Sequence, residues 1–179
     1  MDSTLTDDDL IKELNELIQL DYEASLTYEE ALQQVEDEQA RSALHAFMQD
    51  HLQHITDLRS VINELGGTPI EPSRDLKGVL LEGMTKLRNA LGTLSALKAM
   101  RLNEKLTNRS YEKASELDLP SRARHVVAAS FHDERRHLAA IRAHIARVRA
   151  GAEEADDDDD DEGKSVDQGV TDVQSSVRA

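Results

Sequence analysis

The sequence predicts an all-α fold, an antiparallel four-helix bundle built from two duplicated helical hairpins. The chain repeats itself: a shift of 83 positions without a gap aligns the two halves of its first 150 residues and places Asp21 on Glu104. A repeat of this length exceeds one solenoid unit and suits a helical hairpin. Aromatic residues make up 3% of the chain, and the apolar residues are mainly Leu, Ala, Ile and Val, which favours packing of helix on helix.

The first helix is predicted to begin after Thr6 and to run to about Glu36. Thr6 is a good N-cap, and the three aspartates that follow it suit the positive end of the helix dipole. Asp21 lies within the apolar stripe, which is unusual for an acid on a buried face. The apolar residues are spaced by three, four or seven positions, as one helix face requires, and they are Leu10, Leu14, Leu17, Ala24, Tyr28, Ala31 and Val35.

The second helix is predicted to begin after Asp37 and to stop at Gly66 and Gly67, with Pro69 beyond. The turn between the first two helices is short, which makes them antiparallel neighbours. Two histidines share the face that is expected to be buried. That face consists of Leu44, Phe47, His51, His54, Leu58, Val61 and Leu65.

Residues 66 to about 90 have no counterpart in the repeat and are predicted to form a crossover between the second and third helices. They contain Pro69, Pro72 and Gly78, and a short apolar run at residues 79–81 suggests one extra helical piece. A second helix of about 28 residues is about 42 Å long, and some 24 connecting residues can span that length. The third helix can therefore begin at the same end of the bundle as the second.

The third and fourth helices are predicted on either side of Asp118 and Pro120, which suit the start of the fourth helix. The third helix has an apolar stripe that is interrupted by one acid. The residues of this stripe are Leu94, Leu97, Met100, Glu104, Tyr111, Ala114 and Leu117. The face of the fourth consists of Val127, Ser130, Glu134, His137, Ile141 and Ile145. The fourth helix is expected to end near Arg149, with Gly151 as the stop. Residues 1–150 would then form one domain, and residues 151–179 a disordered acidic tail.

Inward-facing acids and histidines recur in both halves and predict one shared metal site. Bundles that bind two iron ions use one Glu from each of two helices and a Glu-x-x-His pair from each of the other two. The second half has this set in full, and the first half is a variant with Asp and His-x-x-His. The distance from the single acid to the last histidine is 33 residues in both halves. The candidate ligands are Asp21, His51, His54, Glu104, Glu134 and His137.

Carboxylates can bridge two cations, and a neutral imidazole binds Fe, Mn or Zn through nitrogen. Asp21 is one methylene shorter than the usual Glu, and His51 stands where a bridging Glu is expected, so only Glu134 is well placed to bridge. Zinc, manganese or a single iron ion therefore stay open as alternatives to a pair of iron ions. A one-residue gap would instead make Asp50 and Gln53 the counterparts on the second helix.

Four further side chains flank the candidate ligands. Tyr28 and Tyr111 lie two turns from the single acids, and we expect their phenols to hydrogen-bond a ligand carboxylate. Asp50 and Asp133 each precede a ligand of the second or fourth helix and either orient a histidine or lie in solvent. The remaining histidines are predicted to lie on the surface, and they are His45, His125, His132 and His144.

Five segments together resemble the ferritin-like superfamily, and most closely its small DUF2383 proteins. The resemblance covers residues 7–150 and implies a four-helix bundle with a carboxylate and histidine metal centre. If the protein is an enzyme, it implies an oxidase, ferroxidase or peroxidase, and it is also compatible with a homodimer. The segments are LIQLDYEASLTYEEAL, FMQDHLQHITDL, ELGGTP, NEKLTNRSYEKASELDLP and HDERRHLAAI.

Two functions follow as hypotheses. The first is a metal-binding protein, with iron preferred over manganese or zinc, that handles iron or takes part in the oxidative stress response. The second is a metal-free helical bundle that acts in stress or in protein interaction, in which the same acids and histidines hydrogen-bond one another. The sequence identifies no catalytic residue, metal or reaction.

The composition excludes several other classes of protein. The chain contains no Cys, so it has no disulfide, thiolate metal site or cysteine nucleophile, and its glycines form no phosphate-binding loop. The acidic N-terminus is no signal peptide and no apolar run is long enough for a membrane span, so a cytoplasmic protein is expected. The basic residues lie in one amphipathic pattern without interleaved aromatics, which argues against nucleic-acid binding. Residues 1–73 hold 17 acids and 3 bases, whereas residues 74–150 hold 8 acids and 16 bases, so the two halves should attract each other.

Overall fold

A computed structural model describes residues 6–74 and 79–162 of the chain. Within these ranges the fold is entirely helical, which confirms the predicted fold class. Four long helices form the bundle, and the short α3 is the extra helical piece expected in the crossover. The helices are α1 (Asp7–Ala31), α2 (Glu38–Glu64), α3 (Val79–Arg88), α4 (Gly92–Ser115) and α5 (Ser121–Glu162).

The helices pack as two antiparallel hairpins. α1 packs on α2 and α4 on α5, and the hairpins meet where α2 faces α5 and α1 faces α4. Asp37 at the start of α2 pairs with Arg147 late in α5, and Glu64 at the end of α2 approaches Arg122 at the start of α5. These two helices are therefore antiparallel, and contacts described below show the same for α1 and α4. It follows that α2 and α4 run in the same direction, as the predicted crossover requires.

The start of α1 agrees with the prediction, but its end does not. Thr6 caps the helix in a reciprocal arrangement with Asp9, in which each side chain bonds the other's backbone N–H. The helix ends at Ala31 and not near Glu36, because the chain needs the next residues to turn. Asp37 must adopt an extended conformation in order to cap α2 through the backbone N–H of Ala40. Val35 is nevertheless buried, so the apolar pattern continued beyond the helix itself.

Gly66 ends α2 as predicted. Its φ of 76° lies in the left-handed region that favours glycine. Gly66 N–H bonds the carbonyl of Asn63 and Gly67 N–H bonds that of Ile62, which is the Schellman arrangement. A Cβ at Gly67 would lie 2.7 Å from the Ile11 side chain, so the second glycine allows α1 to approach closely.

The predicted stop of the last helix near Arg149 is wrong. α5 continues through Gly151 to Glu162. Among the described glycines only Gly66 and Gly92 have positive φ, so Gly151 does not form a C-cap. A glycine inside a helix costs only about 1 kcal/mol relative to alanine, which is too little to end an established helix. The expected disorder of residues 163–179 lies outside the described residues, and the domain boundary at residue 150 stays a prediction.

The core consists of two apolar clusters with a polar layer between them. Each long helix contributes to both clusters, and α1 for example places Leu10, Leu14 and Ile18 in one cluster and Tyr28 and Ala31 in the other. The polar layer therefore lies near the middle of the bundle. No helix in the described ranges is both long and apolar enough to cross a membrane.

Candidate metal centre

The six predicted ligands lie together in the polar layer. Each long helix supplies one or two of them, and a spacing of three places both members of each pair on the same helix face. Five have no exposed surface and His54 is 4% exposed. α1 supplies Asp21, α2 supplies His51 and His54, α4 supplies Glu104, and α5 supplies Glu134 and His137.

These side chains form two overlapping groups that can each hold a metal ion. In each group, one ligand atom per residue lies within 4.8 Å of all the others. His51 and Glu134 belong to both groups. Glu134 thus occupies the shared position expected of a bridging carboxylate, and the second shared position belongs to an imidazole. The first group is Asp21, His51, His54 and Glu134, and the second is His51, Glu104, Glu134 and His137.

The ring of His51 lies between carboxylates from three other helices. Its Nδ1 is 2.8 Å from Oδ1 of Asp21 and 3.4 Å from Oε1 of Glu134, while its Nε2 is 3.7 Å from Oε1 of Glu104. Nδ1 of His54 lies 3.6 Å from the same Asp21 and Glu134 oxygens. Carboxyl groups from three helices thus surround two histidine rings.

The two tyrosines hydrogen-bond the carboxylates of two candidate ligands, and they do so across the repeat. Tyr28 in α1 donates to Oε1 of Glu104 in α4 at 2.5 Å, and Tyr111 in α4 donates to Oδ2 of Asp21 in α1 at 2.5 Å. Residues seven apart on one helix are separated by about 10 Å along its axis, which is too far for a direct bond. Each half of the chain therefore orients the acid of the other half.

Asp50 and Asp133 lie behind the histidines in the same crossed pattern. Oδ2 of Asp50 in α2 is 2.9 Å from Nε2 of His137 in α5, and Oδ2 of Asp133 in α5 is 3.5 Å from Nε2 of His54 in α2. Arg136 donates to both aspartates. A carboxylate behind a histidine fixes its ring and tautomer, which is the usual arrangement for a metal-binding imidazole.

Seven nitrogen and oxygen atoms of the candidate ligands, within the part of the chain that the structure describes, are buried without a hydrogen-bond partner. Most buried polar atoms in folded proteins have a partner, and leaving one without costs about 1–3 kcal/mol. Carboxylate oxygens and the unprotonated nitrogen of a neutral imidazole are electron-pair donors, so a cation is a suitable partner for these atoms, at one nitrogen per ring. The atoms are Nε2 of His51, Nδ1 and Nε2 of His54, Oε2 of Glu104, Oε1 and Oε2 of Glu134, and Nδ1 of His137.

The pKa values of the two acids in the first group are shifted in opposite directions. Burial raises the pKa of Glu134 to about 8, and the nearby Glu104 and Asp21 carboxylates add to this rise against the effect of His51. Burial also opposes ionisation of Asp21, but the hydrogen bond from His51 and the nearby ring of His54 outweigh it and lower its pKa. Around His51, burial is outweighed by the carboxylates of Glu134 and Asp21, so its pKa is well above the ordinary value. Without a cation, burial and the neighbouring carboxylates therefore oppose ionisation of Glu134.

Outside the layer, the structure decides the remaining sequence predictions. Gln53 is exposed and donates to Asp57, so the alternative register on α2 is wrong. His45, His125 and His132 are exposed as expected, whereas His144 is half-buried next to Arg147.

Asn108 is a residue that the sequence analysis missed. Its side-chain amide donates to the backbone carbonyls of Glu104 and Glu134, at 2.8 Å each, and so joins α4 to α5 at the level of the centre. Its only signal in the sequence is its position one helical turn after Glu104. The polar layer is therefore fixed by backbone contacts as well as by its own side chains.

Residues 9–117 match the model of the family described as "Domain of unknown function (DUF2383)". The match includes α1 to α4 and ends before α5, which supplies Glu134 and His137. None of the curated proteins matches the chain in sequence.

Two solved structures share the fold. A ferritin-like, diiron-carboxylate protein from Bacillus anthracis superposes with a TM-score of 0.60 at 22% identity, over 78% of this chain and 96% of that one. A two-domain protein from Anabaena variabilis, with DJ-1/ThiJ/PfpI-like and ferritin-like domains, superposes with a TM-score of 0.66 at 11% identity. That alignment covers 98% of this chain but only 43% of the larger protein. At these identities, the similarity shows a ferritin-like fold.

Proposed function

The chain belongs to the DUF2383 family and has a ferritin-like fold, and from these premises we propose that it binds metal ions at the middle of the bundle. Iron is the preferred ion, and manganese and zinc are the alternatives. The ligands are the members of the two overlapping groups, with Glu134 and His51 available to both. The set of buried ligand atoms without hydrogen-bond partners supports this proposal most strongly.

The donor set is consistent with iron. Three carboxylates and three neutral imidazoles offer the mixture of oxygen and nitrogen ligands that iron, manganese and zinc all accept. Compared with the usual di-iron set, one carboxylate is replaced by His51, which lowers the negative charge and increases the nitrogen content. The added imidazole also makes the site more suitable for zinc than a site made only of oxygen ligands would be.

Iron bound at these residues would supply one-electron redox chemistry, on which iron handling or an oxidative stress oxidoreductase depends. The residues of the chain provide the surroundings for it. Tyr28 and Tyr111 hold the carboxylates of Glu104 and Asp21 in one orientation, and Asp50 fixes the ring of His137. The two apolar clusters exclude water from both ends of the layer.

The metal-free alternative requires the acids and histidines to satisfy one another. The bond between His51 and Asp21 and the two tyrosine bonds do this for part of the layer. They leave both carboxylate oxygens of Glu134 and both ring nitrogens of His54 without hydrogen-bond partners. The described contacts therefore favour a metal-binding function over a purely structural one.

Titration of the metal-depleted protein with Fe²⁺ under argon, and with Mn²⁺ and Zn²⁺, tests the proposal. We expect saturable binding, release of protons and a rise in melting temperature, because an ion that binds only the folded chain at 100 times its Kd adds about 2.7 kcal/mol of stability. A chelator should reverse the rise.

The double variant Glu134→Ala and His137→Ala is the matched test of the site. It should lose the metal-dependent rise, whereas a double variant of exposed residues on the same helix, His132→Ala and Arg135→Ala, should keep it. A parent protein whose melting temperature is unaffected by all three metals and by chelator would support the metal-free alternative.

A further inference from the structure

A polar groove between α2 and α5 lies directly outside the candidate centre. Its volume is about 180 Å³, and its lining includes His54, Asp57, Arg122, His125, Ala129 and Asp133. Among the six candidate ligands, His54 is the one with measurable exposure, and it is also the one that lines this groove. The groove is therefore where the buried layer comes nearest to solvent within the described residues.

The ring of His54 faces both compartments. Its Nδ1 lies 3.6 Å from oxygens of Asp21 and Glu134 inside the layer, and its Nε2 lies 3.5 Å from Oδ2 of Asp133 at the groove. Only 4% of the surface of His54 is exposed, and neither of its ring nitrogens has a hydrogen-bond partner. The two nitrogens of the His54 ring, one an N–H and the other an electron-pair donor in the neutral imidazole, thus face the groove and the centre at the same time.

The charge of the groove suits a cation. The lining of the groove includes three acids, Asp50, Asp57 and Asp133, and one arginine, Arg122. Arg136 pairs with two of these aspartates, which still leaves one acid in excess. A cleft with an excess of one sign of charge concentrates ions of the opposite sign and speeds their entry.

On the basis of the proposed function, we propose that this groove is the path by which a divalent cation enters and leaves the centre. His54 and Asp133 form its inner end and act as positioning residues for the passing ion. Asp57 and its neighbours attract the ion to the outer end. The ion that this path suits is a small divalent cation that takes both imidazole nitrogen and carboxylate oxygen as ligands.

A side chain that fills the groove tests the path. Ala129→Trp places a large ring in the groove, whereas Ala128→Trp puts the same ring at the neighbouring exposed position, which does not line the groove. The probe is Co²⁺, whose visible absorbance changes on binding, followed by stopped-flow mixing with metal-free protein and then with chelator. A barrier on the path slows entry and exit equally and leaves the equilibrium unchanged.

We expect Ala129→Trp to slow both association and dissociation of Co²⁺ by about tenfold or more, with Kd within about twofold of the parent, since the change blocks access without altering the ligands. Ala128→Trp should retain the parent rates. The charge contribution is tested with Asp57→Asn, which should slow association by about threefold at low salt and less at high salt, against Glu112→Gln on α4 as the control.

Three results would overturn the inference in distinguishable ways. Parent and Ala129→Trp proteins that bind Co²⁺ at the same rates would place the path elsewhere and leave the proposed function intact. A parent protein that binds no Co²⁺, Fe²⁺, Mn²⁺ or Zn²⁺ would overturn the proposed function, and the path would fall with it. A changed Kd with unchanged association would show that Ala129→Trp disturbs the centre and not the route to it, and would likewise contradict the inference.

Discussion

His51 lies among the carboxylates of α1, α4 and α5, and the arrangement of the buried layer depends on it. Its two ring nitrogens face different acids, Asp21 on one side and Glu104 on the other. The repeat predicted that this residue stands in the position of a bridging glutamate. The repeat does not show that the imidazole takes part in both ligand groups, because that depends on the orientation of the ring and on the packing of three helices around it.

The crossed tyrosine bonds predict that each half of the chain stabilises the other. Tyr28→Phe removes the phenol that donates to Glu104 and should lower the free energy of unfolding by about 1.5–3 kcal/mol, the usual range for a hydrogen bond to a charged group. Denaturant unfolding measures this loss.

Tyr22→Phe is the matched control, since the phenol of Tyr22 makes no hydrogen bond within the described part of the chain, and it should change the free energy by less than about 0.5 kcal/mol. A double-mutant cycle with Glu104→Gln should show coupling between the two positions. Additive effects of Tyr28→Phe and Glu104→Gln would contradict the bond.

The raised pKa of Glu134 predicts a pH dependence for the metal-free protein. The folded chain holds a proton on this group up to about pH 8, whereas an unfolded Glu releases it near 4.5. The stabilisation is fully present below the unfolded pKa and is lost as the pH rises through the folded pKa.

Glu134→Gln cannot ionise and should gain stability relative to the parent as the pH rises from about 5 to about 8. Denaturant unfolding in the presence of chelator at several pH values measures the difference. Glu112→Gln, an exposed control on α4, should follow the parent. Curves for Glu134→Gln and the parent that stay parallel over this range would show that Glu134 is ionised in the metal-free fold.

At the scale of helices, the sequence predicted both ends of α2. For α1 and α5 it predicted where the helix begins but not where it ends. Asp37, Gly66 and Gly67 are local signals whose effect depends on a few neighbouring residues. The end of α1 depends on how many residues the turn to Asp37 needs, and the apolar pattern does not record this. Gly151 resembled a stop because glycine often ends a helix, but its backbone stays helical.

Asp37 joins two elements and gives a prediction at this scale. Its side chain caps α2 through Ala40 N–H and accepts hydrogen bonds from Arg147 of α5. Asp37→Ala should lower the free energy of unfolding by about 0.5–2 kcal/mol through loss of the cap. Asp37→Asn keeps a capping oxygen and loses the ion pair, so near neutral pH its cost should be smaller.

The hydrogen bond from Arg147 lowers the pKa of Asp37 from 3.8 to about 2. The stability from this pair is therefore present above pH 3.8 and is lost as the pH falls through 2. The difference between the parent and Asp37→Asn should shrink over that interval in acid unfolding experiments. A difference that stays constant down to the lower pH would rule out the ion pair as its source.

At the scale of the whole molecule, the acidic first half and the basic second half meet along α2 and α5. Arg147, Arg136 and Arg122 lie opposite Asp37, Asp50 and Glu64 along the antiparallel pair. The charge distribution of the sequence predicted this attraction. Exposed pairs of this kind contribute little stability each, about 0–1 kcal/mol, so the apolar clusters and not these pairs hold the two hairpins together.

The duplication also explains which part of the centre was predictable. That these six candidate ligands share one layer could be predicted from spacing alone, because residues three apart share a helix face and both halves use the same separation. The crossed contacts of Tyr28, Tyr111, Asp50 and Asp133 were not predictable in their pairing. They depend on how the hairpins pack against each other, and a repeat aligns equivalent residues without showing which of them touch.

The central claim is that the buried layer binds metal, and the metal content of the purified protein tests it most directly. Protein produced in medium supplemented with iron, manganese or zinc should contain one to two metal ions per chain, with iron preferred, since the two ligand groups overlap. The Glu134→Ala, His137→Ala double variant should contain almost none. Less than about 0.2 metal ions per chain of parent protein in all three media would contradict the claim, because a structural or catalytic site of this kind binds far more tightly than such occupancy allows.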